Sequence, residues 1–214
     1  DTIASRLDQV TSEVQESIMQ TRMQQVGSVF GKFPRIVRDL SGKLSKHCHL
    51  NIEGKEVEVD KTIIEAIGDP LTHLVRNSID HGIESPADRL KAGKNEEGVM
   101  NLRAFYQAGK VRIEIEDDGA GIDPQKLKEK AVTKGILTPE RAEQMGDREA
   151  VRLIFHPGFS TANSVTDVSG RGVGMDVVRS NIEKLGGTVD VDTQVNVGTT
   201  ISVTLPLTLA IIPS

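Results

Sequence analysis

The chain is poor in the features that mark a disulfide scaffold, a membrane span or a nucleic-acid binder. It holds one cysteine, Cys48, in 214 residues. A single cysteine excludes an internal disulfide framework and suits a reducing cytoplasm. No long apolar run occurs, so no segment reads as a transmembrane helix, and no signal peptide opens the chain. The net charge of −5 leaves no basic footprint, which argues against general nucleic-acid binding. Internal repeats and low-complexity tracts are also missing. The length suits one well-buried domain with an appendage. The chain starts at Asp1 and stops at Leu205-Pro-Leu-Thr-Leu-Ala-Ile-Ile-Pro-Ser with no obvious stop signal, and reads as an excised fragment of something larger.

Two unequal parts are expected, with a boundary near residue 45. Residues 1–45 lack strand alternation and read as helix. Ile3, Leu7, Val10, Val14, Ile18 and Thr21 trace a narrow apolar stripe that needs a partner helix. Gly27 to Pro34 interrupts the pattern, and Pro34 can open a second helix through Leu44. Residues 47–52 and 56–59 alternate like a hairpin around Glu53-Gly54-Lys55. Asp60 can cap a helix from Lys61 to His81. Strands 99–107 and 111–117 join at Ala108-Gly109. Helices follow from Asp123-Pro124 to Lys134, from Thr138-Pro139 with Thr138 as cap, and from Asp147 as cap to Phe155. Residues 156–170 are small and polar and read as a mobile loop. A helix over 171–185 and strands 188–193 and 199–205 complete the chain. Helices and antiparallel hairpins in separate runs suggest an α+β two-layer sandwich.

Four short motifs carry chemistry in their order: His73-Leu-Val-Arg-Asn77-Ser-Ile-Asp80-His81-Gly, Asp117-Asp118-Gly-Ala-Gly121, Phe155-His-Pro-Gly158-Phe-Ser160 and Gly170-Arg171-Gly172-Val173-Gly174-Met175. At about 100° per residue, Ile64, Ile67, Leu71, Leu74 and Val75 share one side of the first helix. His73, Asn77, Asp80 and His81 share the other. An Asn oxygen is a neutral hard ligand that suits a Mg²⁺ already carrying phosphates and water. A His one turn earlier can hydrogen-bond a γ-phosphate or orient a nucleophile. An ordinary solvated helix face explains the same residues. Asp118 at a strand end can accept from the exocyclic amine of adenine while glycines admit the flat base; a tight turn built from Asp and Gly is the plain alternative. Gly170, Gly172 and Gly174 before a helix favour bound phosphate. They follow a loop rather than the strand of a βαβ unit, which excludes a dinucleotide fingerprint. Lys126, Lys128, Lys130 and Lys134 read first as a solvated helix face; Lys126 and Lys130 lie one turn apart after the acidic turn, so one of them could reach phosphate. His47, Cys48 and His49 are metal-ligand types but lie on an expected strand without a second cluster. His156 reads as loop.

These motifs match the N, G1, F and G2 boxes of the GHKL ATPase superfamily, whose Bergerat fold is a mixed, mostly antiparallel sheet covered by helices. The wording is closer still to chemotaxis histidine kinases of the CheA family. His73 to Glu84, Phe155 to Thr161, Val168 to Val178 and the ending Leu205 to Ile212 carry that resemblance. It covers nearly the whole chain and is most specific from about residue 60 onward. Residues 17–40 resemble the end of the family's dimerisation segment and its junction to the kinase domain.

The resemblance implies roles. Asn77 would hold Mg²⁺, His73 would sit near the γ-phosphate, and His81 near phosphates or metal. Asp118 would recognise adenine, and Thr199 would help bind near the base. Residues 157–170, with Ser160, would form an ATP lid. Gly121, Gly170 to Met175 (with Arg171 and Val173), Lys126 and Lys130 would complete the ATP site. Hydrolases of the superfamily carry Glu four residues before the metal Asn. His73 stands there, which argues for transfer to a protein over hydrolysis. No segment resembles the family's phosphotransfer domain or its receptor-coupling domain, and only one long dimerisation helix is recognisable. The resemblance therefore implies ATP and Mg²⁺ as cofactors and a histidine-phosphotransfer domain as acceptor. It also implies a response regulator, coupling protein and chemoreceptors reached through other domains, and a homodimeric full-length protein. A GHKL hydrolase and a nucleotide-gated interaction module are the alternatives.

Overall fold

The computed structural model describes residues 2–159 and 174–208. Helix α1 (Thr2–Thr21) has no buried residue. Its stripe of Ile3, Leu7, Val10, Val14 and Ile18 is more than half exposed along its length, so the partner helix it calls for lies outside the described residues. Strand β1 (Met23–Gln25) follows, then α2 (Gly27–Phe30) and α3 (Phe33–Lys43). Val26, Val29, Phe30, Phe33 and Val37 from this stretch belong to the main core. Packing is thus continuous across residue 45.

The expected hairpin around Gly54 does not form. Strand β2 (Cys48–Glu53) pairs in parallel with β4 (Gly98–Gln107), and β3 (Glu58–Asp60) turns away to pair antiparallel with β1. The alternation that suggested a hairpin is real, but the two strands serve different sheets. Gly54 explains the exit: at φ +78° its Cα abuts the Ala104 carbonyl, where a Cβ would collide.

Asp60 then starts α4 (Lys61–Asn77), its side chain accepting from Thr62 N–H at 2.8 Å. A capping carboxylate satisfies one of the helix's orphan donors. A single π-helical turn, Ser78–Gly82, continues α4. Short α5 (Pro86–Lys91) is capped by Ser85 and was not anticipated. Strand β4 and β5 (Lys110–Asp117) form the expected hairpin. Helix α6 (Pro124–Thr133) and α7 (Pro139–Gln144) follow, α7 with the expected Thr138 cap. Helix α8 (Asp147–Val151) corrects one expectation. Gly146 is its N-cap, Asp147 lies inside, and the segment tightens to a 3₁₀ turn over Arg152–Phe155. Helix α9 (Met175–Lys184) leads into β6 (Thr188–Gln194) and β7 (Gly198–Pro206).

The five-stranded sheet runs β2-β4-β5-β7-β6, antiparallel except for β2 beside β4. It is the mixed, mostly antiparallel sheet of an α+β two-layer fold. One face carries Met100, Leu102, Val111, Ile113, Ile115, Ile201 and Val203, buried against α4 and α9. The other face is a polar ladder of Asn51, Asn101, Glu116, Arg103 and Glu114 joined across strands. Such alternation is what one buried and one solvated face require. A satellite cluster of Ala131, Met145, Ala150, Leu153 and Phe159 joins α6 and α8 to the segment after Phe155.

Two glycine substitutions test this packing in opposite directions. Gly42 lies in α3 with open space at its Cβ position, so Gly42→Ala should stabilise by up to about 1 kcal/mol. Gly198 has φ +146° and abuts the Asp117 carbonyl; Gly198→Ala should lower stability by about 1–3 kcal/mol. Thermal unfolding of both variants checks the signs.

Candidate functional site

The polar face of α4 forms only in part as expected. His73 and Asn77 sit half-buried on it. The α-helix ends at Asn77, and the next turn widens, with Ile83 N–H bonding Ser78 O at 2.8 Å. The wider π turn advances less per residue than an α turn. Asp80 and His81 therefore drift off the helix phase and stand exposed, 3.7 Å apart. Lys46 holds this turn, its Nζ donating to Ile79 O at 2.8 Å and Asp80 O at 2.6 Å. Burial lowers the Lys46 pKa. Burial, then the charges of Arg76 and His81, push His73 below the usual imidazole range, so His73 is neutral at pH 7. Asn77 donates from Nδ2 to Met175 Sδ at 3.1 Å. That contact joins the end of α4 to the start of α9.

The two aspartates of the acidic turn have different surroundings. Asp118 is half-exposed and its carboxylate is already engaged, pairing with Arg89 Nη2 at 2.8 Å and accepting from Val99 N–H at 2.9 Å. Asp117 is the buried one, 4% exposed. Its Oδ1 accepts from Gly119 N–H at 3.0 Å, and it also accepts from Ser78 hydroxyl and Thr199 N–H. A Cβ on Gly82 would lie 2.9 Å from Asp117 Oδ2, so only glycine lets the helix end approach so closely. Burial pushes the Asp117 carboxyl up to about 6, against the pull of those three donors. The signal was in the strand period: Val111, Ile113 and Ile115 face the core, and Asp117 is next in phase. Asp118 is out of phase by one residue.

Thr199 lies opposite Asp117 in the β5–β7 register. Its hydroxyl meets Thr193 Oγ1 at 2.9 Å, and Thr193 also accepts from Ile122 N–H at 2.9 Å. Gly121, at φ +71°, abuts the Gln194 carbonyl. These contacts pin the Gly119–Ile122 turn to the β6–β7 tip. A shallow groove lined by Asp117, Thr193, Gln194, Val197 and Thr199 opens there. Sequence reasoning missed Asp117, Ser78 and Thr193 at this site.

The remaining expected residues are dispersed. Gly174 is the N-cap of α9 and Met175 its first, buried residue. Lys126 is exposed on α6. Lys130 lies one turn on, with Nζ 5.2 Å from the Phe159 ring centre, and Lys134 donates to Gly158 O and Phe159 O at 3.0 Å each. Helix α6 thereby holds the start of the segment expected as a lid. Ser160, Gly170, Arg171, Gly172 and Val173, with most of that segment, lie outside the described residues. His156 bonds Pro157 O through Nδ1 at 2.8 Å. His47 faces Glu96 at 3.5 Å, His49 faces Asn51 at 3.1 Å, and burial pushes the Cys48 thiol up to about 12. Among the described residues, no group of three His, Cys, Asp or Glu could hold a metal. No helix among them is long and apolar enough to cross a membrane.

The nucleotide-free catalytic domain of histidine kinase ThkA matches at TM-score 0.50 and 18% identity, over 87% of this chain and 95% of that one. The chain belongs to the histidine kinase-, DNA gyrase B-, and HSP90-like ATPase family, whose signature spans residues 66–209. It is 56% identical over 210 residues to sensor histidine kinase CheAY of Helicobacter pylori, covering 98% of this chain and 26% of that protein. It is 51% identical over 208 residues to chemotaxis protein CheA of Klebsiella aerogenes (97% of this chain, 31% of that protein). Identity to chemotaxis protein CheA of Bacillus subtilis is 48% over 207 residues, with the same 97% and 31% coverage. The chain thus spans about a third or less of these relatives and is homologous to them along nearly all of its own length.

Asp117 generates a pH prediction. Its folded pKa of about 6 lies above the ordinary 3.8. The proton it retains stabilises the fold below about pH 4, and that contribution is lost as pH rises through 6. The full shift corresponds to at most about 3 kcal/mol. Asp117→Asn should therefore be more stable than the parent at pH 7.5, with the gain vanishing near pH 4. Denaturant unfolding at the two pH values checks this.

Proposed function

We propose that residues 46–210 are the ATP-binding catalytic domain of a chemotaxis-type histidine kinase, and that residues 1–45 contribute a partial dimerisation helix and junction. The reaction is transfer of the ATP γ-phosphate to a histidine on a separate phosphotransfer domain. The acceptor imidazole nitrogen forms the new bond to phosphorus, and ADP leaves. The observation that carries this reading is the Asp117 carboxylate, buried between the β5–β7 end and the α4 end that bears Asn77. A buried acceptor beside glycines suits the exocyclic amine of adenine, with Thr199 at the edge of the base. The base-reading role expected of Asp118 passes to Asp117, because only Asp117 faces the site.

Mg²⁺ fits this reading as an ion that arrives with phosphates. Among the described residues, Asn77 Oδ1 offers a neutral oxygen and no group of three His, Cys, Asp or Glu forms a cage, which is how Mg²⁺–nucleotide sites are commonly built. When bound, the ion neutralises phosphate charge during transfer. His73, neutral at pH 7, can hydrogen-bond the γ-phosphate without trapping it as an ion pair. His81 and Lys126 are exposed and Lys130 lies half-buried over Phe159; their charge suits phosphates. Of the glycines that the resemblance assigns to the phosphates, Gly174 is the N-cap of α9, and a helix N-terminus favours bound phosphate. The homology to CheA proteins and His73 in place of a water-activating Glu do not favour the hydrolase or the interaction module. The apolar stripe of α1 fits a second copy of the same helix in a homodimer. The CheA relationship supports a cytoplasmic kinase that works with chemoreceptors, a coupling protein and a response regulator.

Two measurements test the reading. Asn77→Ala should weaken Mg-ATP binding by at least about tenfold and remove transfer while the fold survives; unchanged calorimetry would return Asn77 to a solvated face. The chain alone should take up almost no label from γ-labelled ATP, and an added phosphotransfer domain should acquire acid-labile label slowly, since nothing tethers the two. His73→Ala should reduce that transfer by on the order of 10²-fold and reduce ATP binding much less. Acid-labile label on the chain itself would overturn the assignment of the acceptor.

A further inference from the structure

We propose that Arg89 and Lys94 are positioning residues for the nucleotide site: together they fix the two peptide units of the acidic turn so that its N–H groups face Asp117 and the helix end. The proposal rests on the nucleotide reading above. Arg89 is the largest of the fully buried side chains, 1% exposed. Its Nε donates to Asn95 O at 2.7 Å and its Nη1 to Glu84 Oε2 at 2.9 Å and Asp118 O at 3.2 Å. Its Nη2 pairs with Asp118 Oδ2 at 2.8 Å. Lys94 Nζ donates to Glu84 Oε1 at 2.7 Å, Asp118 O at 2.9 Å and Gly119 O at 2.7 Å. Two cations and two carboxylates balance in charge, and both cations converge on consecutive backbone carbonyls.

The consequence follows from peptide geometry. A trans peptide is planar, and its C=O and N–H point in opposite directions. The unit joining Asp118 to Gly119 gives its oxygen to Arg89 and Lys94 and its N–H to Asp117 Oδ1 at 3.0 Å. The next unit gives its oxygen to Lys94 and its N–H, on Ala120, to Gly82 O at 2.9 Å. Rotating either unit would break a charge-assisted bond on one side and bring a carbonyl oxygen toward the Asp117 carboxylate or the Gly82 carbonyl on the other. The cations therefore lie behind the turn, away from Asp117, and set the direction of the groups in front of it. A buried ionic cluster is a poor way to gain stability compared with apolar packing. Orientation of the turn is the task that its geometry performs.

The test compares Lys94→Met and Lys94→Arg with the parent chain. Lys94→Met removes both carbonyl contacts and leaves the Arg89–Asp118 pair. Calorimetry should show ADP and ATP weakened by the same factor, about tenfold, the scale of one charge-assisted hydrogen bond, at unchanged stoichiometry. Without nucleotide, the Gly119 amide proton should move upfield and exchange faster. Lys94→Arg should restore affinity and amide position. Parent-like affinity and an unmoved Gly119 amide in Lys94→Met would overturn the proposal. So would a fall in stoichiometry with unchanged dissociation constants, which marks a fold role only; Lys94→Gln provides the same readouts should the Met variant not fold. The amide reports on the turn in the empty protein. A parent that binds no adenine nucleotide would therefore sink the functional reading separately from this inference.

Discussion

A carboxylate held in a place that disfavours its charge organises this molecule. Asp117 closes the core face of β5, and the groups around it come from three separate stretches: Ser78 and Gly82 from the turn after α4, Gly119 from its own strand end, and Thr199 from β7. Each must approach closely, so the helix has to end in glycine, the turn has to carry glycine, and β7 has to begin in register with Asp117. Burial raises the carboxyl pKa, and three donors offset part of that cost. What remains is a hydrogen-bonded carboxyl whose charge the fold disfavours.

The rest of the fold can be read as support for that junction. The core under α4 fixes the helix on the sheet, and Lys46 holds the π turn by its carbonyls. Arg89 and Lys94 hold the acidic turn from behind, and Thr193 ties it to the β6–β7 tip. Asn77 reaches across to Met175, so the helix that bears the proposed metal ligand also marks where α9 begins. By contrast, α1 takes no part in this packing. It is a helix whose apolar side is open along its full length, which suits a segment whose partner is another chain.

The local readings that succeeded were those with one strong physical cause. Asp60 and Thr138 cap helices because their side chains satisfy the first free N–H groups. The β4–β5 hairpin follows from alternation broken only at Ala108-Gly109, both with positive φ. The readings that failed depended on distant partners. Residues 56–59 alternate as a strand should, but nothing in their own sequence says that β1, over thirty residues earlier, is the partner. Asp147 has the chemistry of a cap but lies one residue inside its helix.

The same division holds at the site. By itself, the sequence determined that a helix carries His73 and Asn77 on its polar side, that an acidic Gly-rich turn ends a strand, and that these belong to a histidine-kinase-like ATPase. Residue type and spacing suffice for that. Which of two adjacent aspartates faces the site was a matter of strand phase, legible in Val111, Ile113 and Ile115 but decided by which face of the sheet is buried. That Asp80 and His81 leave the helix face was decided by a π turn no local pattern announced. That Arg89 and Lys94 belong to the acidic turn was decided by tertiary structure alone, because they lie more than twenty residues away from it and meet it only after β4 and β5 have paired.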